Sequence, residues 1–359
     1  MREMKQDYLW DGSGEADADV ARMERALARF RHAGRAPEWS GVAEIAEVSH
    51  MRAGGRQWWF QFAAVAASAL VVLSAWTGLR RNEETIANGI GWGVESVAGA
   101  PRVGRNTVGR AGEKSTLHAG QLLETDGASE ASLTVADVGR VDVEPRTRLR
   151  LVESEEARTR MKLERGTIRA FIWAPPGEFM VDTPSALAVD LGCRYTLHVD
   201  DNGNGLLRTT LGWVGFKLNG REAFIPEGAV DETRPEVGPG TPFFEDADAE
   251  FRSALREFDF GGLSGERRSA ELAVVLSKAR TRDALTLWHL LSRAEASDRA
   301  RVFDALNKFV PAPANVTREG IVRGDQGMLD AWWNELGFDD IAVWRRWERT
   351  EVQKTGKKE

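Results

Sequence analysis

A run of 22 residues without a single charge, residues 58–79, constrains this chain more than any other stretch. As an α-helix it would reach about 33 Å, enough to cross a hydrocarbon core of about 30 Å. Trp58, Trp59 and Trp76 lie near its two ends, where indole rings favour the boundary between membrane and water. A buried core helix is the alternative, but the polar residues of the run form no polar face. The sequence therefore predicts one membrane-spanning helix.

The charges beside this helix do not orient it. Arg52 and Arg56 precede it, and Arg80 and Arg81 follow it, so positive charge is balanced on the two sides. Long domains cross membranes largely irrespective of charge. The flanking residues alone therefore leave both orientations open.

Composition excludes several classes of protein. The net charge of −7 over 359 residues argues against broad nucleic-acid binding, and we expect no nucleic-acid partner. The chain has one cysteine, Cys193, so it can form no intramolecular disulfide and no cysteine cluster for a metal ion.

Residues 1–57 are polar and too few to build a core, so we expect a helical arm that folds against a partner. Its best helix carries Val20, Met23, Leu27 and Phe30 at spacings of three, four and three, which places them on one narrow seam. A helix that docks into a groove needs such an apolar stripe with polar flanks. These four residues are the candidate partner-binding residues. A solvated arm with fluctuating helices is the alternative.

After a linker at residues 80–90, the pattern becomes that of an all-β unit, residues 91–235. Short apolar and β-branched runs are separated by Gly, Asp, Asn or Pro every 8 to 15 residues. The run of Asp, Asn and Gly at residues 200–205 predicts a turn between two strands. It lacks the spacing of a calcium-binding loop, so we expect no metal there. The predicted strands are residues 131–135, 141–143, 149–152, 167–173, 179–181, 186–191, 195–199, 206–211 and 213–218.

Three segments in this unit occur in the order typical of a known family. They read VESVAGAPRV, then LHAGQLLETDGASEASLTVADVGRVDVEPRTRLRL, then LERGTIRAFIWAPPGEFMVDTPSALAVDLGCRYTLHVD. Residues 92–216 resemble the FecR domain, the envelope part of single-pass regulators that act on extracytoplasmic-function sigma factors. The sequence departs from the family pattern at residues 192–195, where the family more often has Gly-Thr and a Phe. We expect that departure to affect packing.

The resemblance implies a topology and a partner. The N-terminus would lie in the cytoplasm, residues 58–79 in the inner (cytoplasmic) membrane, and the β domain in the periplasm or its equivalent. The cytoplasmic partner would be a sigma factor, and an envelope protein could supply the signal. The zinc-binding type of anti-sigma factor is excluded, since residues 1–57 contain no cysteine. The resemblance leaves open whether an outer-membrane receptor is involved.

A helical C-terminal region is predicted after a Pro- and Gly-rich linker at residues 233–242. Apolar residues recur at helical spacing through residues 243–337, which predicts a small bundle of antiparallel helices. Residues 338–359 predict a terminal helix and a basic tail. Four tryptophans within residues 332–347 could form a binding face, although docking onto the chain's own domain is the more common role of such residues. The basic tail is either solvated or in contact with anionic membrane lipid.

No group of residues indicates catalysis, so we expect a non-enzymatic protein without cofactors. None of the five histidines lies at a metal-ligand spacing. The predicted fold is mainly β, a FecR-like rolled sheet or sandwich, with a C-terminal α-helical bundle and one transmembrane helix. Two alternatives to a signalling regulator remain: a non-signalling envelope scaffold, and a ligand- or glycan-binding module with Trp92, Trp173 or Trp213 as stacking platforms.

Overall fold

The computed structural model describes residues 91–355, apart from residues 110, 136, 156, 157 and 339. The predicted arm (1–57), membrane segment (58–79) and linker (80–90) lie outside the described residues. Within the described part of the chain, no helix is long and apolar enough to cross a membrane.

Strands account for most of the region before residue 245. They are β1 Trp92–Ala98, β2 Arg102–Val103, β3 Asn106–Thr107, β4 Lys114–Leu117, β5 Leu122–Glu124, β6 Glu130–Val135, β7 Gly139–Val143, β8 Arg148–Glu155, β9 Arg158–Ile172, β10 Phe179–Asp182, β11 Leu187–Asp190, β12 Arg194–Val199, β13 Gly205–Leu211, β14 Trp213–Leu218, β15 Arg221–Pro226, β16 Ala229–Arg234, β17 Gly238–Pro239 and β18 Phe243–Phe244. Each of the nine predicted strands overlaps one of these.

The strands form two sheets that share β9. Sheet 1 has the order β4, β1, β6, β7, β9, β12, β13, β16, with β17 and β18 both paired to β16. Sheet 2 has the order β3, β2, β5, β8, β9, β10, β11, β14, β15. All of these pairings are antiparallel except that of β9 with β10. The predicted β architecture is confirmed.

β9 is the strand that connects the two sheets. Its first half pairs in sheet 2, and its second half, from Gly166, pairs in sheet 1. Gly166 has a φ of +96°, and a Cβ atom there would lie 2.3 to 2.6 Å from atoms of Thr147. Only glycine therefore fits where the strand passes from one sheet to the other.

The stretch predicted as a linker, residues 233–242, continues sheet 1 instead. β17 pairs with the end of β16, and the backbone NH of Gly240 donates to the carbonyl oxygen of Glu232 at 2.7 Å. Prolines and glycines are compatible with this short edge strand because few of its backbone donors are needed for pairing.

The helices follow the sheets. They are α1 Ala249–Phe260, α2 Gly265–Lys278, α3 Ala284–Arg293, α4 Ala296–Phe309, α5 Arg318–Arg323, α6 Gln326–Trp333 and α7 Ala342–Thr355, with a 3₁₀ turn at Thr281–Asp283. The mainly β fold with C-terminal helices is thus confirmed for the described residues.

Helices and sheets share one hydrophobic core. Phe224 of β15 is at its centre, with ring centroids 5.1 to 5.9 Å from those of Trp213, Trp288, Trp333 and Trp344. Such aromatic pairs each contribute about 0.5–1.5 kcal/mol beyond the area they bury.

The predicted domain boundaries stay a prediction.

Candidate functional site

Most of the predicted site residues fall outside the described part of the chain. This applies to the arm residues Val20, Met23, Leu27 and Phe30 and to the membrane-interface residues Trp58, Trp59 and Trp76. The structure neither brings them together nor separates them, and both roles stay predictions.

The three candidate stacking tryptophans differ sharply in accessibility. Trp92 and Trp213 are buried in the core, so neither can stack on a ligand. Trp173 is 56% exposed, the most accessible large apolar side chain of the described residues. Only Trp173 is therefore placed to contact a ligand or partner.

Trp173 belongs to an exposed cluster on the outer face of sheet 1, which we call the aromatic surface: Phe171, Trp173, Arg194 and Leu211. Phe171 and Leu211 are 39% and 48% exposed. Single exposed apolar residues are ordinary, but a contiguous group of large ones marks a contact site more often than chance.

The alternation of β9 places the first of these residues. Ile168, Ala170 and Ile172 point into the core and are buried, so Phe171 faces outward. Trp173 follows directly after the strand. Its backbone NH donates to the carbonyl oxygen of Val138 at 2.9 Å.

Strand pairing brings the remaining two residues beside Phe171. In the register of sheet 1, Arg194 of β12 lies opposite Phe171 on one side and opposite Leu211 of β13 on the other. At the end of β13, Gly212 (φ +66°) passes so close to the carbonyl oxygen of Gly192 that a Cβ atom there would lie 2.2 Å from it. This close approach fixes how the turn before β12 meets the end of β13.

Ring contacts hold the aromatic surface in a defined geometry. The ring centroids of Phe171 and Trp173 are 5.4 Å apart at an interplanar angle of 65°, an edge-to-face arrangement. The guanidinium carbon of Arg194 lies 4.5 Å from the Phe171 ring centroid, within the range of a cation–π interaction. The indole Nε1 of Trp173 donates to the carbonyl oxygen of Asp137 at 2.6 Å. The side chains are therefore ordered before any partner binds.

A buried acid lies in the turn that leads to Arg194. The Sγ of Cys193 donates to Oδ2 of Asp190, and the backbone NH of Gly192 donates to Oδ1, both at 2.7 Å. Burial raises the pKa of Asp190 to about 7, and these hydrogen bonds oppose that rise. Burial, the charge of Asp190 and the hydrogen bond to it all raise the pKa of Cys193, so the thiol stays protonated. The departure from the family pattern at residues 192–195 therefore covers the end of this turn, whose thiol donates a hydrogen bond, and the first two residues of β12.

The chemistry available at the aromatic surface is that of binding. It offers apolar rings and one stacked guanidinium. Arg140 of β7 lies opposite Phe171, and its Nε donates to Oδ1 of Asp142 at 2.8 Å. Trp and Arg are enriched among the residues that dominate the energetics of protein interfaces.

Sequence reasoning named Trp173 but missed Phe171, Arg194 and Leu211. The sequence does contain a signal for Phe171. In TIRAFIW, Thr167, Arg169, Phe171 and Trp173 are alternate residues and so lie on the same face, which places the two aromatic residues on the polar, outward face. Arg194 and Leu211 join them only through strand pairing, which sequence spacing does not reveal.

Comparisons with known proteins give one family match and a likeness to solved structures. The model of the family described as "FecR protein" matches residues 121–211, which contain the whole aromatic surface. Two crystal structures from Parabacteroides distasonis, both provisionally described as anti-sigma factors, align at 15% and 16% identity. The first alignment covers 38% of this chain and 64% of the other, and the second covers 44% of this chain and 73% of the other. Each has a TM-score of 0.31. The chain thus spans just under two thirds of the first of them. No curated protein sequence matches this chain.

Proposed function

We propose that this chain is a non-enzymatic regulator that passes an envelope signal to a cytoplasmic partner, because the FecR family model matches residues 121–211. The family match is the observation that carries the proposal. The matched residues cover the strands from β5 to β13, including the shared strand β9, so the match falls on the centre of the two-sheet fold.

The proposed topology rests on the sequence. Residues 58–79 span the inner membrane once, the arm at residues 1–57 lies in the cytoplasm, and the sheets and helices lie outside it. The partner of the arm is an extracytoplasmic-function sigma factor, held by the seam of Val20, Met23, Leu27 and Phe30. An apolar stripe of this kind supplies the buried anchors that a helix in a groove requires.

The test is co-purification of the full chain, solubilised in detergent, with the sigma factor encoded beside it. Leu27→Asp places a charge in the seam and should reduce the bound sigma factor at least tenfold, since an unpaired charge in an apolar interface costs several kcal/mol. Ala28→Asp, one residue along and on the polar flank, is the matched control and should leave binding unchanged. Equal binding by both variants, or no sigma factor bound by the unaltered chain, would contradict the proposal.

Deleting residues 1–57 separates a regulator from an envelope scaffold. A regulator loses its effect on transcription of the sigma-dependent genes, whereas a scaffold that only displays its envelope surface retains its function. A transcriptional reporter, compared between a strain with the full chain and a strain with the deletion, decides between the regulator and the scaffold.

The second candidate function is a partner-binding module, and the aromatic surface favours it. An envelope protein docking on Phe171 and Trp173 would give the regulator its signal, or would be the whole function of a scaffold. Trp173→Ala should weaken such a complex by about 2 kcal/mol or more if the indole is a central anchor. Val152→Ala removes an exposed apolar side chain elsewhere, on β8, and serves as the control. Cross-linking in cells should no longer give the complex with the envelope partner in Trp173→Ala, and should still give it in Val152→Ala.

Glycan stacking on Trp173 is the other possible use of this surface. A glycan array that reports binding dependent on Trp173 would favour it over a protein partner.

A further inference from the structure

A cavity of about 330 Å³ lies between the β14–β15 turn and helices α2, α3, α6 and α7. Its rim includes the exposed residues Asn219, Gly220 and Gln326, and its floor is closed by Phe224 and Trp288. The volume is at the lower end of that of small-molecule sites. The FecR match ends at residue 211, so the cavity lies outside the matched residues.

Four arginines line this cavity, against a single lining carboxylate. They are Arg221, Arg268, Arg293 and Arg345, and the carboxylate is Glu222. Two of the four have carboxylate partners: Arg221 pairs with Asp259 at 2.5 Å, and Arg345 pairs with Glu222 at 2.7 Å and with Asp330 at 3.0 Å.

The other two arginines have no such partner. Neither Arg268 nor Arg293 forms an ion pair with a carboxylate of the described residues. Arg268 donates to the carbonyl oxygens of Phe258 and Arg293, at 3.2 and 3.1 Å, and stacks on the Phe258 ring at 3.8 Å. Nη2 of Arg293 donates to the carbonyl oxygen of Glu222 at 2.7 Å, whereas its Nε and Nη1 donate no hydrogen bond within the described part of the chain.

The electrostatics show an excess of positive charge here. Burial and the neighbouring charge of Arg221 lower the pKa of Arg293 to about 10, and burial likewise lowers the pKa of Arg268. The nearby Asp231 is buried, and burial raises its pKa well above the ordinary value, while the charges of Arg293 and Arg221 oppose that rise. The charge of Asp259 raises the pKa of both arginines, but its carboxylate forms its ion pair with Arg221. Arg268 and Arg293 therefore have no carboxylate of their own, and partly buried charges that are incompletely compensated are costly.

We propose that this cavity binds a small molecule through a phosphate or carboxylate group, held by Arg268 and Arg293 with Arg221 beside them. Guanidinium groups match such oxyanions because their donors form parallel hydrogen bonds. Phosphate is the favoured group, since it can neutralise two unpaired guanidiniums. This site does not depend on the sigma factor or on the aromatic surface.

The experiment is calorimetric titration of the full chain in detergent with methyl phosphate, at constant ionic strength set by chloride. The unaltered protein should bind one equivalent. Arg268→Gln should weaken binding at least tenfold, while Arg267→Gln, an exposed neighbour on the same helix, should bind as the unaltered protein does. Ser292→Glu, at an exposed position of the lining, brings negative charge to the cavity and should also weaken binding tenfold without disturbing the core.

Two further probes identify the source of the phosphate. Tighter binding of glycerophosphoglycerol, the diester headgroup of a common anionic lipid, than of methyl phosphate would indicate a lipid ligand. The reverse order would indicate a soluble monoester. If all probes bind no better than chloride, or if Arg268→Gln and Ser292→Glu bind methyl phosphate as well as the unaltered protein does, the proposal is wrong. Co-purification of the sigma factor is measured separately, so failure here leaves the proposed regulatory function standing.

Discussion

Asp190 is a carboxyl group that sequence spacing does not mark as special. It ends β11, at a position where a polar residue usually faces solvent, yet it is buried beside the thiol of Cys193. The sequence does indicate a break between strands here, because the predicted strands at residues 186–191 and 195–199 leave Gly192 between them. It does not indicate the burial, because that depends on the neighbouring strands and on Gly212 packing against the turn.

The raised pKa of Asp190 predicts a specific pH dependence of stability. The unfolded carboxyl ionises near pH 3.8 and the folded one near pH 7, so between these values the folded state binds more protons. The free energy of unfolding should therefore fall as the pH rises through this window, by at most about 4 kcal/mol from this group. Above the folded pKa the contribution is constant.

Asp190→Asn should remove that slope. Urea unfolding between about pH 5 and about pH 8 should show a smaller decline for the variant than for the unaltered protein. Asp201→Asn, at an exposed carboxylate in the β12–β13 turn, controls for loss of a charge and should keep the full decline. Parallel curves for Asp190→Asn and the unaltered protein would contradict this assignment of the titrating group.

At the scale of single elements, the spacing of apolar residues predicts helices best where one face is buried. α1 shows this: Phe251, Ala254, Leu255 and Phe258 lie at helical spacing in the sequence, and all four are buried. β9 shows the opposite. Its first half reads RTRMKLER, in which Thr159, Met161 and Leu163 alternate with charged residues but form no apolar run, and the predicted strand starts nine residues too late.

α7 shows what helical spacing leaves open. The spacing identifies Ile341, Trp344 and Trp347 as one face, but not the surface that they cover. In the structure, Trp344 packs on β14, where a Cβ atom at Gly215 would lie 2.1 Å from its ring, and its Nε1 donates to Glu222 at 3.0 Å. Arg345, expected in a basic tail, is instead partly buried in ion pairs with Glu222 and Asp330.

Trp344→Ala should therefore destabilise the fold by about 3–5 kcal/mol, since it leaves a large cavity and an unpaired Glu222 acceptor. Urea unfolding measures the loss, and limited proteolysis should show early cleavage within α7. Arg349→Ala, at an exposed position of the same helix, should change neither result. If Trp344→Ala were as stable as Arg349→Ala, the docking of α7 on the sheet would be wrong.

At the scale of the whole molecule, the sequence predicts the succession of strands and then helices, because composition and periodicity change near residue 245. It does not predict that helices complete the core of the sheets. That contact joins Phe224 to residues more than 60 positions later, and no local pattern records it. His289 illustrates the same contact: its Nε2 accepts from the backbone NH of Phe224 at 2.9 Å.

Burial lowers the pKa of His289 well below its ordinary value, so the ring stays neutral and its Nδ1 donates to the carbonyl oxygen of Leu285. The helices thus satisfy a backbone donor of β15 as well as cover its aromatic ring. A buried donor left without an acceptor would cost about 1–3 kcal/mol. The sheets therefore depend on the helices through both packing and hydrogen bonding.

A fragment that ends at residue 247, before α1, should consequently not fold as a stable monomer. It would expose Trp213, Phe224 and the surface of β14 that Trp344 covers in the full chain. Together these form an apolar patch large enough to cause association. Residues 91–355 should unfold in one cooperative transition, whereas residues 91–247 should bind a hydrophobic dye and sediment as aggregates. A monomeric fragment with its own cooperative transition would show instead that the sheets fold independently, and that the helices are an addition to a complete β domain.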